Sequence, residues 1–265
     1  MTAQAPQGHN ASNAPDALRA EGVVKRFGAL TALNGVDLHL GKGEVLGLIG
    51  DNGAGKSTLI KTITGFHRPD AGQMYVDGDP VTLRSVAQAR ALGIETVFQD
   101  LALISELSVY HNMFLNSELT LKPFPLLNNR KMKERTKRYI DDMGVNIPSI
   151  DTQVGRLSGG QRQAIAVARS VYSEASILLL DEPLAAMGAK EGAMILDLVQ
   201  KLKNEGRVSI ILIAHNYSHV FEVCDRVNLL QHGRISYDKP TSETSVEELT
   251  ELVVAEYRKA RTTNN

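Results

Sequence analysis

Residues 50–57, Gly-Asp-Asn-Gly-Ala-Gly-Lys-Ser, constrain the fold of this chain more than any other stretch. They match the pattern G-x-x-x-x-G-K-[ST] of a phosphate-binding loop. The apolar run at residues 44–49 indicates a buried strand before the loop, and Leu59 and Ile63 indicate a helix after it. Because this motif requires a strand, a loop and a helix in that order, the sequence predicts an α/β fold with an anion-binding turn.

The loop has the residue types that a nucleoside triphosphate and Mg²⁺ require. Its glycines allow successive backbone N–H groups to converge on an anion, and the following helix adds the positive end of its dipole. The Lys56 ammonium can reach the β- and γ-phosphates, and the Ser57 hydroxyl can hold Mg²⁺. A chance match in a glycine-rich turn is the weaker alternative. The predicted nucleotide-binding residues are Gly50, Asp51, Asn52, Gly53, Ala54, Gly55, Lys56, Ser57 and Thr58.

Composition limits the classes of protein to which the chain can belong. A length of 265 residues, 43% of them hydrophobic, suffices for one large α/β domain, or for one domain with a subdomain. The net charge of −1 gives no bulk attraction to nucleic acid, so we predict no nucleic-acid partner. The single cysteine, Cys224, rules out an internal disulfide, favours a reducing compartment and is expected to be buried.

The sequence contains no stretch of about 18 or more apolar residues, and its N-terminus lacks the pattern of a secretory signal. We therefore expect that any work at a membrane depends on a partner. Residues 1–16 are rich in Ala, Gln, Asn and Pro and predict a disordered tail, which leaves residues 17–240 for the main domain. Alternating apolar residues at 36–40 and the turn dipeptide Asp77-Gly78 predict antiparallel strands.

Two later segments differ from the α/β pattern. Residues 100–156 alternate apolar clusters with charged stretches, and we interpret them as a mostly helical insertion within a helical subdomain of about residues 100–170. Residues 241–265 predict a C-terminal helix and tail, with fraying after Arg261. A capping box formed by Ser245 and Glu248 would open this helix. Its apolar face would consist of Leu249, Leu252 and Val253.

A second chemical motif follows the apolar run at residues 177–180, where Asp181 and Glu182 come directly after a predicted buried strand. The strand end would place both carboxylates at the edge of the sheet where the phosphate loop also lies. Asp181 is expected to hold Mg²⁺, and Glu182 to orient and polarise the attacking water as a general base. A helix cap or a surface carboxylate pair is the alternative.

The third motif is Leu157-Ser158-Gly159-Gly160-Gln161, followed by a helical pattern. Glycine N–H groups at a helix N-terminus, with the Ser158 hydroxyl, provide a second anion site. The alternative is a capped helix with a glycine-rich beginning. Together with the two motifs above, this stretch resembles the signature of ABC-type ATPases, over residues 18 to about 237.

The resemblance implies a P-loop NTPase of ABC type, with a mostly parallel core sheet, an antiparallel β subdomain and a helical subdomain. It also implies two copies packed head to tail, so that Ser158, Gly159, Gly160 and Gln161 of one copy close over ATP held by the other.

The same resemblance assigns three more residues. Phe27 is similar to the aromatic residue that stacks on adenine, and core packing is the alternative for it. Gln99, at a strand end, is similar to the glutamine that senses Mg²⁺ and the attacking water and connects to the membrane partner. His215 is similar to the switch histidine that contacts the γ-phosphate and positions Glu182.

The sequence departs from the family pattern at two positions. Leu184 stands where Thr or Ser usually follows Asp-Glu-Pro, and Gly188 stands where an acidic residue usually helps to connect the two ATP sites. These departures leave the catalytic groups in place and put the coupling of the sites in question.

The motifs look most like those of ATPase subunits of bacterial monosaccharide importers of the ribose, xylose and fructose type, and most like the single-domain fructose-type subunits. That resemblance implies a peripheral protein on the cytoplasmic face of the inner membrane. Its partners would be a second ATPase subunit, permease subunits and, indirectly, a periplasmic sugar-binding protein. The alternatives are a soluble ABC-type ATPase with an assembly or regulatory role, and a nucleotide-binding module without turnover.

Overall fold

A computed structural model describes residues 16–121, 123–185 and 187–263. The predicted disorder of the N-terminal tail therefore lies outside the described residues, apart from Asp16. The strands are β1 (Leu18–Phe27), β2 (Leu30–Leu40), β3 (Val45–Ile49), β4 (Ala71–Val76), β5 (Asp79–Val81), β6 (Ile94–Val97), β7 (Ile177–Asp181), β8 (Ser209–Ile213), β9 (Arg226–Gln231) and β10 (Arg234–Pro240). The α-helices are α1 (Lys56–Ile63), α2 (Val86–Ala91), α3 (Val109–Met113), α4 (Asn129–Asp142), α5 (Gly159–Tyr172), α6 (Ala189–Glu205), α7 (Tyr217–Val223) and α8 (Val246–Thr263).

The larger sheet has the strand order β10-β9-β3-β8-β7-β6. Every pair of neighbouring strands in it is parallel except β9 and β10, which are antiparallel. Strands β3 and β8 are buried along their whole length, as apolar runs covered on both faces must be. Because these strands run in parallel, their carboxyl ends bring the phosphate loop and the Asp181-Glu182 pair to one edge. The mostly parallel core sheet is confirmed.

The second sheet is antiparallel, in the order β2-β1-β4-β5, and confirms the predicted β subdomain. Its last hairpin turns at Asp77 and Gly78, which have φ values of 52° and 89°. Two residues with positive φ form the turn that matches the twist of paired strands. The apolar residues of this sheet form a second core with one side of β3 and with α1.

Residues 100–156 contain α3 and α4 joined by long loops, so they are less helical than their apolar pattern indicates. One buried side chain explains how these loops are held. The Asn112 amide accepts a hydrogen bond from Ile104 N at 2.8 Å and donates to the carbonyls of Ile104, Leu107 and Ser108. Because the loop satisfies its backbone groups through this side chain, it needs no helix there.

The C-terminal helix α8 runs to Thr263, beyond the predicted point of fraying. Only half of the predicted capping box forms: the Ser245 hydroxyl accepts from Glu248 N at 3.1 Å, whereas the Glu248 carboxylate accepts from Tyr237 and Lys239. Leu249 is fully buried but Leu252 is 38% exposed, so the predicted apolar face is narrower than expected.

Among the described residues, no helix combines the length and the apolar character needed to cross a membrane. Cys224 is buried as predicted, and this burial raises the pKa of its thiol.

Candidate active site

A pocket of ≈ 470 Å³ lies where the phosphate loop meets the strand ends. The predicted site residues on its wall are Phe27, Asp51, Asn52, Gly53, Gly55, Lys56, Ser57, Thr58 and Glu182. The pocket therefore brings together the glycine loop, the aromatic residue at the end of β1 and the second carboxylate of the Asp-Glu pair.

The loop keeps its shape because two of its glycines fit where a side chain cannot. A Cβ atom on Gly50 would lie 2.2 Å from Leu230 O, and one on Gly55 would lie 2.7 Å from Ala32 O. Gly55 has a φ of 112° and occupies the N-cap of α1 without any side-chain hydrogen bond to the helix. The first N–H groups of α1 therefore remain available for an anion in the pocket.

Lys56 lies folded into this loop and is only 7% exposed. Its ammonium donates to Gly50 O at 2.6 Å and to Asp51 O at 3.0 Å. Burial lowers the pKa of Lys56, while Glu182, Asp51 and Asp181 act in the opposite direction. The side chain is thus held at the centre of the loop by carbonyl groups that a phosphate oxygen can replace as its partners.

The two carboxylates and His215 meet because β7 and β8 are parallel neighbours. Asp181 is opposite Ile213 in the register, and Glu182 N donates to Ile213 O at 3.2 Å. Nε2 of His215 then lies 2.7 Å from Oε1 of Glu182. Glu182 has a φ of 52°, a left-handed conformation that is unusual for a residue other than glycine and is often found at functional sites.

The environment of Asp181 fits a cation. Burial and the neighbouring Glu182 raise the pKa of Asp181, and Lys56, Lys61 and His215 offset this only in part. No group of three or more His, Cys, Asp or Glu side chains able to hold a metal occurs in the part of the chain that the structure describes. One carboxylate and one hydroxyl, Asp181 and Ser57, suit Mg²⁺, which usually keeps waters and substrate phosphates as its other ligands.

The remaining predicted residues lie away from the pocket wall. Gln99 follows the end of β6 and is exposed. The Ser158 hydroxyl accepts from Gln161 N at 3.3 Å, and the Gln161 side chain accepts from Ser158 N at 3.1 Å, a complete capping box at the start of α5. A Cβ on Gly160 would lie 2.9 Å from the Glu191 and Met194 side chains, whereas Gly159 meets nothing closer than 3.8 Å. Gly160 is thus needed for packing, and Gly159 leaves an open approach to the helix end.

Residues 33–185 match the family described as ABC transporter. The chain belongs to this family. The ABC fold is also evident in a solved structure, the ADP conformation of MJ1267, an ATP-binding cassette of an ABC transporter. That structure has a TM-score of 0.76 and 28% identity, covering 90% of this chain and 95% of the other. The predicted ABC-type fold is therefore confirmed.

Two relatives of this ABC protein are similar over most of their length. The xylose/arabinose import ATP-binding protein XylG of Sulfolobus acidocaldarius is 48% identical, over 91% of this chain and 94% of the relative. The fructose import ATP-binding protein FrcA of Rhizobium meliloti is 44% identical, over 82% of this chain and 85% of the relative. The resemblance to ATPase subunits of sugar importers, inferred from the motifs, is confirmed at this level of identity.

Five residues that the sequence did not predict also line the pocket of this ABC protein: Leu30, Thr31, Ala32, His232 and Gly233. The first three begin β2, and the last two form the turn between β9 and β10. Gly233 N donates to Ala54 O at 3.0 Å, and Gly233 O accepts from Asn34 N at 2.8 Å. The sequence carries no signal that the turn at His232 and Gly233 packs against the phosphate loop.

The two departures from the ABC pattern are accommodated in the segment before α6. Leu184 is half-buried and approaches Gly192 of α6. Gly188 is the N-cap of α6, with φ −71° and ψ 162°, and no side-chain oxygen caps this helix. A Cβ on Gly188 would meet nothing within 4 Å, so the backbone there has room for the acidic residue that the family usually carries.

Proposed function

We propose that this chain binds and hydrolyses ATP as the ATPase subunit of an ABC importer, and that the importer takes up a monosaccharide through a membrane permease. The observation that carries this proposal is the Glu182–His215 pair, 2.7 Å apart, beside a glycine loop that holds Lys56. The relatives named for xylose/arabinose and fructose import support the sugar class.

Substrate binding would depend on the loop and on Phe27. The backbone N–H groups of the loop and the first turn of α1, with the Lys56 ammonium, would bind the β- and γ-phosphates. Phe27 is 43% exposed on the pocket wall and offers a ring face to the adenine. Stacking is tolerant of sequence because it requires only a π-face, so phenylalanine suffices.

Hydrolysis would depend on Glu182 and His215. The Glu182 carboxylate would accept a proton from water while the water oxygen bonds to the γ-phosphorus and the bond to the ADP oxygen breaks. His215 would hold the carboxylate in place. Ser57 and Asp181, with Gln99 as a further candidate, would hold Mg²⁺, which when bound neutralises charge on the phosphate oxygens.

A second copy of the chain would complete the site. The Ser158–Gln161 turn is a helix N-terminus suited to an anion, yet it does not line the pocket of its own chain. We propose that two copies pair head to tail, so that each turn faces the γ-phosphate bound by the other copy. The Gln99 region and residues 100–150 would contact the permease on the cytoplasmic face of the membrane, and a periplasmic protein would select the sugar.

Phosphate release by the purified protein with MgATP tests the catalytic part. Lys56→Ala should abolish ATP binding. Glu182→Gln should retain binding but lower turnover by about 10²–10⁴-fold, the usual contribution of a general base. Glu106→Gln, which changes an exposed carboxylate outside the pocket, is the matched control and should hydrolyse ATP normally. Unchanged binding by Lys56→Ala, or unchanged turnover by Glu182→Gln, would contradict the proposal.

Affinity purification from detergent extract tests the transport part. A polytopic permease should co-purify with the tagged chain, and its capture should not depend on hydrolysis, so Glu182→Gln should also retain it. Active ATPase without any co-purifying membrane protein would favour the soluble assembly or regulatory role instead.

A further inference from the structure

Phe27 is supported by an aromatic residue from a distant part of the chain. The ring of His67 lies 5.1 Å from that of Phe27, centroid to centroid, at an interplanar angle of 70°. His67 also contacts the ring of Phe66, its neighbour in sequence, at 5.1 Å and an interplanar angle of 73°. His67 is half-buried, whereas Phe27 remains 43% exposed towards the pocket. The His67 ring is therefore half-buried in contact with two phenylalanine rings, and the Phe27 ring remains accessible from the pocket.

The loop that carries His67 is fastened to the end of β1. The Asp70 carboxylate accepts from Arg26 N at 2.6 Å and from Lys25 Nζ at 3.2 Å. Lys25 Nζ also donates to Arg68 O at 2.8 Å. These bonds tie the residues just after His67 to the two residues just before Phe27, so they hold the two aromatic residues close together.

The same loop is joined to the helix that follows the phosphate loop. His67 N donates to Lys61 O at 2.9 Å, and Lys61 lies in α1. Residue 67 is thus connected to the phosphate-binding helix by its backbone and to Phe27 by its side chain. A ring at this point can set the distance and angle between the phosphate site and the stacking surface.

We propose that His67 is a positioning residue for the nucleotide base: its ring fixes that of Phe27 so that the exposed face of Phe27 stacks on the adenine. This inference rests on the proposed ATP-binding function. An edge-to-face aromatic pair fixes a ring orientation before the ligand arrives and so reduces the ordering cost of binding. Burial, with Lys61 and Lys25 nearby, lowers the pKa of His67 and so favours the neutral imidazole in this pair.

The test compares two ligands that share the phosphates and differ in the base. In His67→Ala, the KM for ATP should rise about two- to tenfold, which corresponds to the strength of an edge-to-face pair, while kcat stays unchanged. Affinity for inorganic triphosphate should not change, because that ligand has no base. His67→Phe should restore the KM, since a neutral aromatic ring replaces the imidazole. His39→Ala, on β2 and outside the pocket, is the control and should leave every value unchanged.

A double-mutant cycle completes the test. In a Phe27→Ala background, His67→Ala should have no further effect on the KM for ATP, because the ring that it positions is gone. An unchanged KM in His67→Ala, an equal loss of affinity for triphosphate and ATP, or additive effects in the double mutant would overturn the inference. If the unaltered protein bound neither ATP nor triphosphate, the proposed function itself would fail, which is a distinct outcome.

Discussion

Replacing Gly188 with aspartate should stabilise the protein, and the size of the gain follows from the geometry of this position. It is the N-cap of α6, a helix of 17 residues, and no side chain accepts a hydrogen bond from the first turn. A Cβ at residue 188 would meet no atom within 4 Å, and the backbone φ of −71° at Gly188 suits any residue. Gly188→Asp should therefore place a capping carboxylate without a clash or backbone strain.

Three effects contribute to the expected gain. An aspartate cap exceeds glycine by a few tenths of a kcal/mol. The carboxylate next to the positive helix end adds about 0.3–1 kcal/mol, and the loss of glycine's freedom in the unfolded chain adds about 0.4–1 kcal/mol. Repulsion from Glu191, three residues further on, subtracts about 0.2–0.5 kcal/mol. The net stabilisation should be about 1–2 kcal/mol, a rise in Tm of about 2–8 °C.

Calorimetry and urea unfolding of Gly188→Asp measure this gain, and two variants separate its causes. Gly188→Asn should retain the cap and lose the charge effect, so its Tm should lie between those of the parent and the aspartate variant. Gly188→Ala stiffens the unfolded chain but offers no capping oxygen, so its Tm should be equal to or below that of the parent. A lower Tm for Gly188→Asp, or an equal gain for Gly188→Ala, would refute the capping argument.

Three further changes test other parts of the structure. Gly47→Ala, whose Cβ would lie 2.4 Å from Cγ1 of Val220, should destabilise the fold by about 1–3 kcal/mol in urea unfolding, and Val220→Ala in addition should recover part of the loss. Arg226→Met removes a nearly buried guanidinium that bonds the Glu44 and Asp238 carboxylates at 2.7 Å, and should cost about 3 kcal/mol in urea unfolding because both carboxylates lose their cationic partner. The hydrogen bond from Arg26 N lowers the pKa of Asp70. The ionised Asp70 therefore stabilises the fold above its ordinary pKa of 3.8, and this stabilisation is lost as the pH falls through the lower pKa of the folded state. The Tm difference between the parent and Asp70→Asn should shrink from about pH 6 to about pH 3.

Local patterns predicted the parts of this fold whose physics is local. The phosphate loop between β3 and α1 follows from glycine spacing, and the Asp77-Gly78 turn follows from two residues that tolerate positive φ. The buried strand β7 follows from the continuous apolar run at residues 177–180. In each of these cases, the residues that specify the element are the residues that form it.

Other parts depend on partners distant in sequence, which no local pattern encodes. Glu248 was expected to close a capping box but bonds Tyr237 and Lys239, because the hairpin of β9 and β10 brings these side chains beside α8. The loops before α3 are held by the Asn112 side chain in place of helical bonds.

The candidate site shows the same division. Its phosphate-binding half could be predicted from one continuous stretch of sequence. The contributions of Gly233 and His67 could not, because each depends on a contact between segments that only the folded chain brings together.

The glycine loop and the Ser158 turn do not share a pocket within one chain, which supports the proposed pairing of two chains. The glycine loop and Glu182 share one pocket, so a single chain can hold a triphosphate and place a carboxylate near it. The Ser158 turn combines a helix N-terminus, the Ser158 hydroxyl and an open approach at Gly159, which are features suited to an anion. Since its capping box already satisfies the needs of α5, a structural role alone would not require the open glycine. Under the proposed head-to-tail pairing, the turn would serve a phosphate held by the other copy, and closure of two chains would be a condition for hydrolysis.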